Sequence, residues 1–323
     1  MALRGASKLA LTPPREPDEA STVRRASSMI LLAVVVTASA AGAQAPAAAE
    51  LWRVAAASLA SPPALQIGAT STFWNPGSPN GQRGAAAGIE IIHTSSVLGL
   101  SGLLLGGSLP LSGPVRAGLV LGRMQIRDLV RTTTSPDSEE GSIPVYEQFA
   151  GGHLAFQSSA FEAGALLAVH NARFDIESET GFTLDLGFRV HPFRRLTIAA
   201  ATHLLPITLT SESTTDYYAG AEYIVVDHWK LSSLDARLAL QYGATYRNSG
   251  DLDHTINAGF TVNEQVHIDA ALTNEAAYGQ RQWRPGIALG LRFGRYTVLF
   301  SHGTGINDVG GTYRVGLDVE FPR

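Results

Sequence analysis

From Phe182 the chain alternates without a break: Phe182, Leu184, Leu186, Phe188 and Val190 fall on one face, and Thr183, Asp185, Gly187, Arg189 and His191 on the other. A helix cannot sustain a period of two, because its faces repeat every 3.6 residues. The pattern returns in Leu234–Arg247, in Ile287–Gly294 and in Tyr313–Phe321, each with apolar residues opposite a row of charged, polar or glycine positions. Weaker versions occupy residues 86–93, 98–105, 115–124, 146–156, 161–170, 195–204, 217–226, 253–262, 265–273 and 295–302. Together these make fourteen candidate strands. Each is close to the ~9–11 residues that a tilted strand needs to cross a bilayer. An even number of strands, alternately apolar and polar, predicts an all-β fold: a transmembrane antiparallel β-barrel with lipid-facing and lumen-facing rows.

The connections support that reading, since such barrels have short turns at one end and longer loops at the other. Short links at Gln157–Ala160, Pro192–Arg195, Asn263–Glu264 and Gly294–Arg295 interleave with longer polar ones at Ile126–Val145, Asn171–Thr180, Leu205–Asp216, Asn248–Leu252, Asn274–Gln280 and Gly303–Thr312. Two links depart from the parity: Thr94–Ser96 is short for a loop, and Gly106–Pro114 is long for a turn. The competing fold is a soluble β-sandwich or lipocalin-like barrel, with its apolar face turned inward. Alternation alone does not choose between them. Large Arg and Gln residues on the polar faces favour the membrane barrel. So do aromatics near strand ends (Tyr217, Trp229, Tyr242, Trp283, Tyr296, Tyr313 and Phe321), where interfacial girdles lie.

Composition narrows the function classes. The chain has 45% hydrophobic and only 16% charged residues, no cysteine and a net charge of −4. Absence of cysteine excludes a disulfide scaffold and a thiolate-held metal. Lys8 and Lys230 are the only lysines, so there is no basic footprint for nucleic acid. At the N-terminus, Arg24-Arg25, the apolar run Met29–Val36 and Ala41-Gly42-Ala43 form the three regions of a secretory signal, with cleavage expected after Ala43. The polar stretch before Arg24 reads as leader, or as a mis-assigned start with initiation near Val23 or Met29. The expected organisation is therefore leader and signal at 1–43, a luminal segment at 44–84 and the barrel at 85–323.

In that barrel the polar faces line the lumen. They carry Arg116, Arg189, Arg237, Gln241, Arg247, Arg292 and Arg314 together with Glu90, Glu162, Asp185, Glu222, Asp235, Asp269, Asp318 and Glu320. The near balance of signs argues for charge ladders that satisfy one another, against a strongly ion-selective pore. Small inward residues such as Gly164, Gly187, Gly220 and Gly243 leave room for the segment Leu51–Ala69 to enter.

Catalysis has no comparable signal. Ser301-His302-Gly303-Thr304-Gly305-Ile306-Asn307 is loosely similar to the His-x-Ser-Asn element of barrel lipid-A deacylases, but lacks the Ser-Asn pair. The histidines show no metal-ligand spacing, and no Gly-rich phosphate loop is followed by a lysine. Neither a catalytic residue, a metal nor a cofactor is expected.

Three segments carry a resemblance. Arg314–Phe321 resembles the terminal insertion signal of outer-membrane barrels, with Gly316, Val319 and Phe321 at its defining positions, although Pro322-Arg323 follow the aromatic. Phe73-Trp74-Asn75-Pro76-Gly77 resembles the aromatic-Asn-Pro element that precedes the first strand in the FadL-like (OmpP-type) superfamily, particularly its PorV/PorQ branch. Asp308–Leu317 is similar to that branch's final hairpin. The resemblance implies export to the bacterial outer membrane by way of the barrel-insertion machinery. It also implies an N-terminal hatch at Phe73, Trp74, Asn75 and Pro76, which a plain turn with packed aromatics would equally explain. As partners it implies, besides the lipid bilayer, either hydrophobic small molecules in passive transport or the proteins of a secretion or surface-attachment system.

Overall fold

In a computed structural model the described residues are 50–78, 84–95, 99–127, 129–130, 141–207, 215–231, 234–247, 250–277, 280–305 and 310–321. The expected signal at 1–43 and the residues Ile306, Asn307, Pro322 and Arg323 lie outside them.

Fourteen strands form one closed antiparallel barrel: β1 (Ala85–Thr94), β2 (Leu100–Ser112), β3 (Val115–Ile126), β4 (Val145–Gln157), β5 (Phe161–Phe174), β6 (Glu177–Phe193), β7 (Leu196–His203), β8 (Asp216–Leu231), β9 (Leu234–Arg247), β10 (Leu252–Val262), β11 (Val266–Ala277), β12 (Gln280–Phe293), β13 (Tyr296–Gly303) and β14 (Thr312–Phe321). Closure runs between β1 and β14, from Ala85 opposite Phe321 to Thr94 opposite Thr312. Hydrocarbon offers no partner to a backbone N–H or C=O, so a spanning sheet must close and leave no edge.

The apolar row of the alternation faces outward. Leu186 and Leu240 are 47% and 48% exposed on the barrel wall, whereas Asp185 and Arg189 on the opposite row are 1% and 6% exposed. Trp229, Tyr242, Trp283, Tyr296, Tyr313 and Phe321 also stand on the exterior. An apolar outside around a polar inside is the transmembrane arrangement and rules out the soluble sandwich. No helix among the described residues is long and apolar enough to cross a membrane.

The parity of connections holds, but three lengths are corrected. β2 continues to Ser112, so the supposed long link 106–114 is the tight turn Gly113-Pro114, with Gly113 at φ +53°. Pro110 sits inside the strand beside a register shift, where its missing N–H disrupts the ladder least. The expected loop 171–180 is mostly strand, because β5 and β6 extend to the pair Asp175-Ile176. Likewise β11 and β12 extend across most of 274–280. These extensions are polar because they rise past the apolar band, so hydropathy reads them as loop. At the opposite end, Asn263 and Glu264 take φ values of +50° and +56° in the β10–β11 turn, the backbone twist that tight hairpins favour.

Candidate functional site

Residues 51–78 lie within the lumen. The short helix α1 (Glu50–Ala56) leads into two 3-10 turns, Pro63–Leu65 and Ser71–Phe73. Their route is defined by glycines on the inner wall: a Cβ on Gly243 would strike Pro62, on Gly220 Leu65, on Gly106 the Ala69 carbonyl, on Gly164 the Pro76 carbonyl and on Gly187 the Asn75 side chain. These contacts reach strands on opposite sides of the barrel, so the segment spans its interior.

Side chains from the wall then hold the backbone of the segment. Arg314, with no exposed side-chain surface, pairs with Glu90, donates to Ser58 Oγ at 3.0 Å and to the Ala55 carbonyl at 2.8 Å. Glu90 also accepts from Thr70 Oγ1 at 2.5 Å. Asp318 accepts from the Ala69 N–H at 3.2 Å. Arg189 donates to the carbonyls of Leu65 and Gln66, each at 3.3 Å, while Glu162 lies 3.5 Å from its Nε. Asn257 donates to the Ala60 carbonyl at 2.9 Å. An irregular segment buried in a barrel has backbone groups that its own turns cannot satisfy, and the charged rows of the wall supply the partners.

Around Phe73 and Trp74 the lumen is apolar. Phe73 stacks on Phe149 of β4 at 4.6 Å, with an interplanar angle of 11°. Trp52 closes on Phe73 at 4.6 Å and on Phe149 at 5.3 Å, and His203 of β7 stands edge-on to Phe73 at 4.5 Å. Ile92, Leu100, Leu104, Val120, Met124 and Leu166 surround this cluster from β1, β2, β3 and β5. The hydrophobic core of the molecule is thus inside the barrel, between the wall and the inserted segment. Asn75 and Pro76 complete the four-residue element: Asn75 is fully buried against β6, and the Pro76 carbonyl abuts Gly164 of β5.

The lumen-lining residues divide into four groups. Arg189, Arg314 and Asp318, with Arg116 bonded to the Gly84 carbonyl at 2.7 Å, hold the N-terminal chain. Asp185 instead ties the β7–β8 connection, accepting from the Leu205 N–H at 3.2 Å and facing His203 at 3.4 Å. Arg237 and Gln241 both bond Glu222, at 3.1 and 2.7 Å, and Arg292 pairs with Glu320 at 3.2 Å toward the short-turn end, half exposed. Arg247 belongs to a further network beneath α1. It meets Asp253 at 2.7 Å and Glu275 at 2.8 Å; Glu275 also pairs with Arg284, and Arg53 of α1 meets Asp216 at 3.1 Å. A cavity of about 50 Å³ lies between this network, Thr245, Thr255 and Thr273 on the wall, and Leu59 and Pro63 on the segment.

Sequence reasoning missed Trp52, Phe149 and His203 in the aromatic cluster, and Arg53, Glu275 and Arg284 in the network. Glu275 and Arg284 fell in or next to a segment read as loop, so no face was assigned to them. Gly316 lies on the inner face of β14, and Val319 and Phe321 on the outer. Ser301 and His302 are consecutive strand residues and so point to opposite faces, Ser301 into the wall's interior and His302 against Tyr313 at 4.5 Å. They cannot form a nucleophile–base pair. Among the described residues no group of His, Asp or Glu is arranged to hold a metal.

No protein-family model matches this chain, and no curated protein does. Solved structures do. The Acinetobacter baumannii outer membrane protein Omp33 is 8% identical, with a TM-score of 0.44 over 74% of this chain and 98% of that one. A Pseudomonas aeruginosa FadL homologue is 11% identical, with a TM-score of 0.49 over 83% and 98% of the two chains. A triple mutant of the Rhodopseudomonas blastica porin is 10% identical, with a TM-score of 0.38 over 73% and 98%. Likeness at this level assigns neither ligand nor activity.

Proposed function

We propose that this chain is an outer-membrane barrel that gives small hydrophobic molecules a passive route, gated by its own N-terminal segment. The observation that carries the reading is the apolar cluster of Trp52, Phe73, Trp74 and Phe149 inside the lumen, where water and ions would call for a polar lining. A cluster made half by the wall and half by an inserted segment offers an apolar ligand the same surface once the segment shifts. Phe73, Trp74, Asn75 and Pro76 then act as the hatch, in keeping with their resemblance to the FadL-like element. Val319 and Phe321 would serve insertion. No step of chemistry is involved.

A proteoliposome assay tests the route. Barrels carrying Gly164→Leu, whose side chain would collide with the Pro76 carbonyl, should admit a lipophilic dye faster than wild type while folding normally. Equal, background-level uptake by both proteins would remove the transport reading.

A second reading is supported by the obstruction itself. Residues 51–78 are fastened by six wall side chains (Arg53 of the segment with Asp216, then Asn257, Arg314, Glu90, Asp318 and Arg189). That suits a barrel that serves as a rigid platform for secretion-system proteins, as in the PorV/PorQ branch. Co-purification of large partner proteins, unaffected by Gly164→Leu, would favour it.

A further inference from the structure

The outer wall carries a feature that neither reading uses. Across β2–β5 the exterior is hollowed into an open pocket of about 330 Å³, lined by Leu103, Leu105, Leu121, Ala150 and Val169 and edged by Arg123, Gln148 and Asn171. The hollow follows from the sequence: Ala150 and Gly152 stand on the outer row of β4 where its neighbours present Leu119, Leu121, Leu167 and Val169.

Directly above, toward the long-loop end, the exterior turns polar in two consecutive rungs. Arg123, Gln148, Asn171 and Thr180 are paired strand by strand from β3 to β6, and the next rung is Gln125, Tyr146, Arg173 and Ser178. They are joined laterally. Arg123 donates to Gln148 Oε1 at 3.0 Å and to Gln125 Oε1 at 3.2 Å, and its guanidinium lies 4.3 Å from the Tyr146 ring centroid. Asn171 Nδ2 reaches Thr180 Oγ1 at 3.1 Å. These bonds engage a minority of the N–H groups a guanidinium carries. Among the described residues the partners of Arg123 are Gln125, Gln148 and the Tyr146 ring, none of them a carboxylate, and Glu177 and Glu179 alternate to the other face of β6 from Ser178 and Thr180. The wall therefore joins an apolar hollow to an uncompensated, pre-ordered cation at the level where the apolar band ends.

We propose that this face holds a phosphate-bearing lipid of the surrounding leaflet, with an acyl chain in the hollow and the phosphate on Arg123 and Arg173. Planar guanidinium groups bind phosphate oxygens in pairs, and the aromatic ring and amides fix the Arg123 plane. The occupant is a lipid rather than a free anion because the apolar part of the site faces the bilayer.

The test is lipid retention by the intact barrel. Protein in phosphatidylcholine nanodiscs doped with phosphatidic acid is released into the gas phase, and bound lipids are counted by native mass spectrometry. Wild type should retain phosphatidic acid over phosphatidylcholine. R123Q/R173Q should lose at least about tenfold in retention, since tenfold is the scale of a single lost charge-assisted contact and two are removed. Ala150→Phe, which fills the hollow and leaves both arginines, should lose retention as well. Arg281→Gln is the control, since Arg281 is an exterior arginine of the same rim that lies on β12, whereas the hollow is lined by β2–β5. The proposal is overturned if R123Q/R173Q retains lipid like wild type, if Arg281→Gln loses as much, if Ala150→Phe has no effect, or if inorganic phosphate strips the lipid. Heat-modifiable migration on gels verifies that each variant is a folded barrel.

Discussion

Asn75 donates its side-chain Nδ2–H to the carbonyl of Ala64 at 2.7 Å, while its Oδ1 accepts the N–H of Gly77 at 2.9 Å. One buried amide thus ties the end of the luminal segment to a turn eleven residues earlier in the chain. Asn75→Ala leaves both backbone groups unpaired in a dry site, a cost of roughly 1–3 kcal/mol for each such group. Hydrogen exchange should show faster exchange for amides of 64–78, with the strand amides of the barrel unchanged. Asn75→Asp keeps the acceptor for the Gly77 N–H but, as a carboxylate, has no N–H for the Ala64 carbonyl, so it should also raise exchange, through the loss of that one bond. Unaltered exchange in both would mean that the turn is held by packing alone.

Arg314 and Glu90 make the second test. The guanidinium is wholly buried and also serves Ser58 and Ala55, so Glu90→Gln strips its counter-charge while keeping the shape. Breaking a buried pair costs about 3–5 kcal/mol, because the remaining charge stays desolvated. Denaturant unfolding should register that loss in Glu90→Gln. A double variant, Glu90→Gln with Arg314→Met, should recover part of it, and a strictly additive double variant would show that the two groups are not coupled.

The legibility of this fold in the sequence varied with what lay behind each strand. β6, β9, β12 and β14 have a polar inner row, so their alternation is plain. In β1–β3 the inner row includes Ile92, Leu100, Leu104, Val120 and Met124, which pack against the inserted segment. Both faces are then apolar, and in β2 Leu103, Leu104 and Leu105 follow one another with no visible period. The weak signal in the first third of the barrel is a consequence of the luminal core. Phe73 and Trp74 of that core, with Asn75 and Pro76 beside them, are legible through the resemblance of the aromatic-Asn-Pro element to the FadL-like one. Trp52 and Phe149 were not, since a single aromatic in a helix or strand carries no mark of its partner. The wall arginines could be assigned to the lumen, but their targets could not, because backbone carbonyls of 55, 65 and 66 leave no trace in side-chain identity.

Trp52 and Trp74 lie in the lumen, whereas Trp229 and Trp283 are on the lipid face. That separation provides an optical test for apolar ligands. In a protein carrying Trp229→Phe and Trp283→Phe, the remaining emission comes from the luminal pair and the blue-shifted spectrum of a dry site is expected. A brominated fatty acid added to nanodiscs should quench it in Gly164→Leu far more than in the parent, because the displaced segment opens the cluster. Equal quenching in both would place the quencher in the bilayer outside the wall.

The network beneath α1 has three arginines, Arg53, Arg247 and Arg284, facing three carboxylates, Asp216, Asp253 and Glu275. Glu275 is shared by Arg247 and Arg284, so Glu275→Gln leaves two guanidinium groups facing one another with Asp253 as the nearest neutralising partner of Arg247. Arg247→Gln does the reverse and leaves Asp253 and Glu275 in excess. Both changes sit beside the cavity next to α1, where charges are only partly screened. Once the segment is displaced by Gly164→Leu, ions passing the network should feel that imbalance. In planar bilayers under a KCl gradient, adding Glu275→Gln should move the reversal potential toward the chloride value and adding Arg247→Gln toward the potassium value. The Gly164→Leu parent should lie between them, and the shifts should shrink at high salt. Shifts of the same sign from both substitutions, or none from either, would put the ion path away from this side of the lumen.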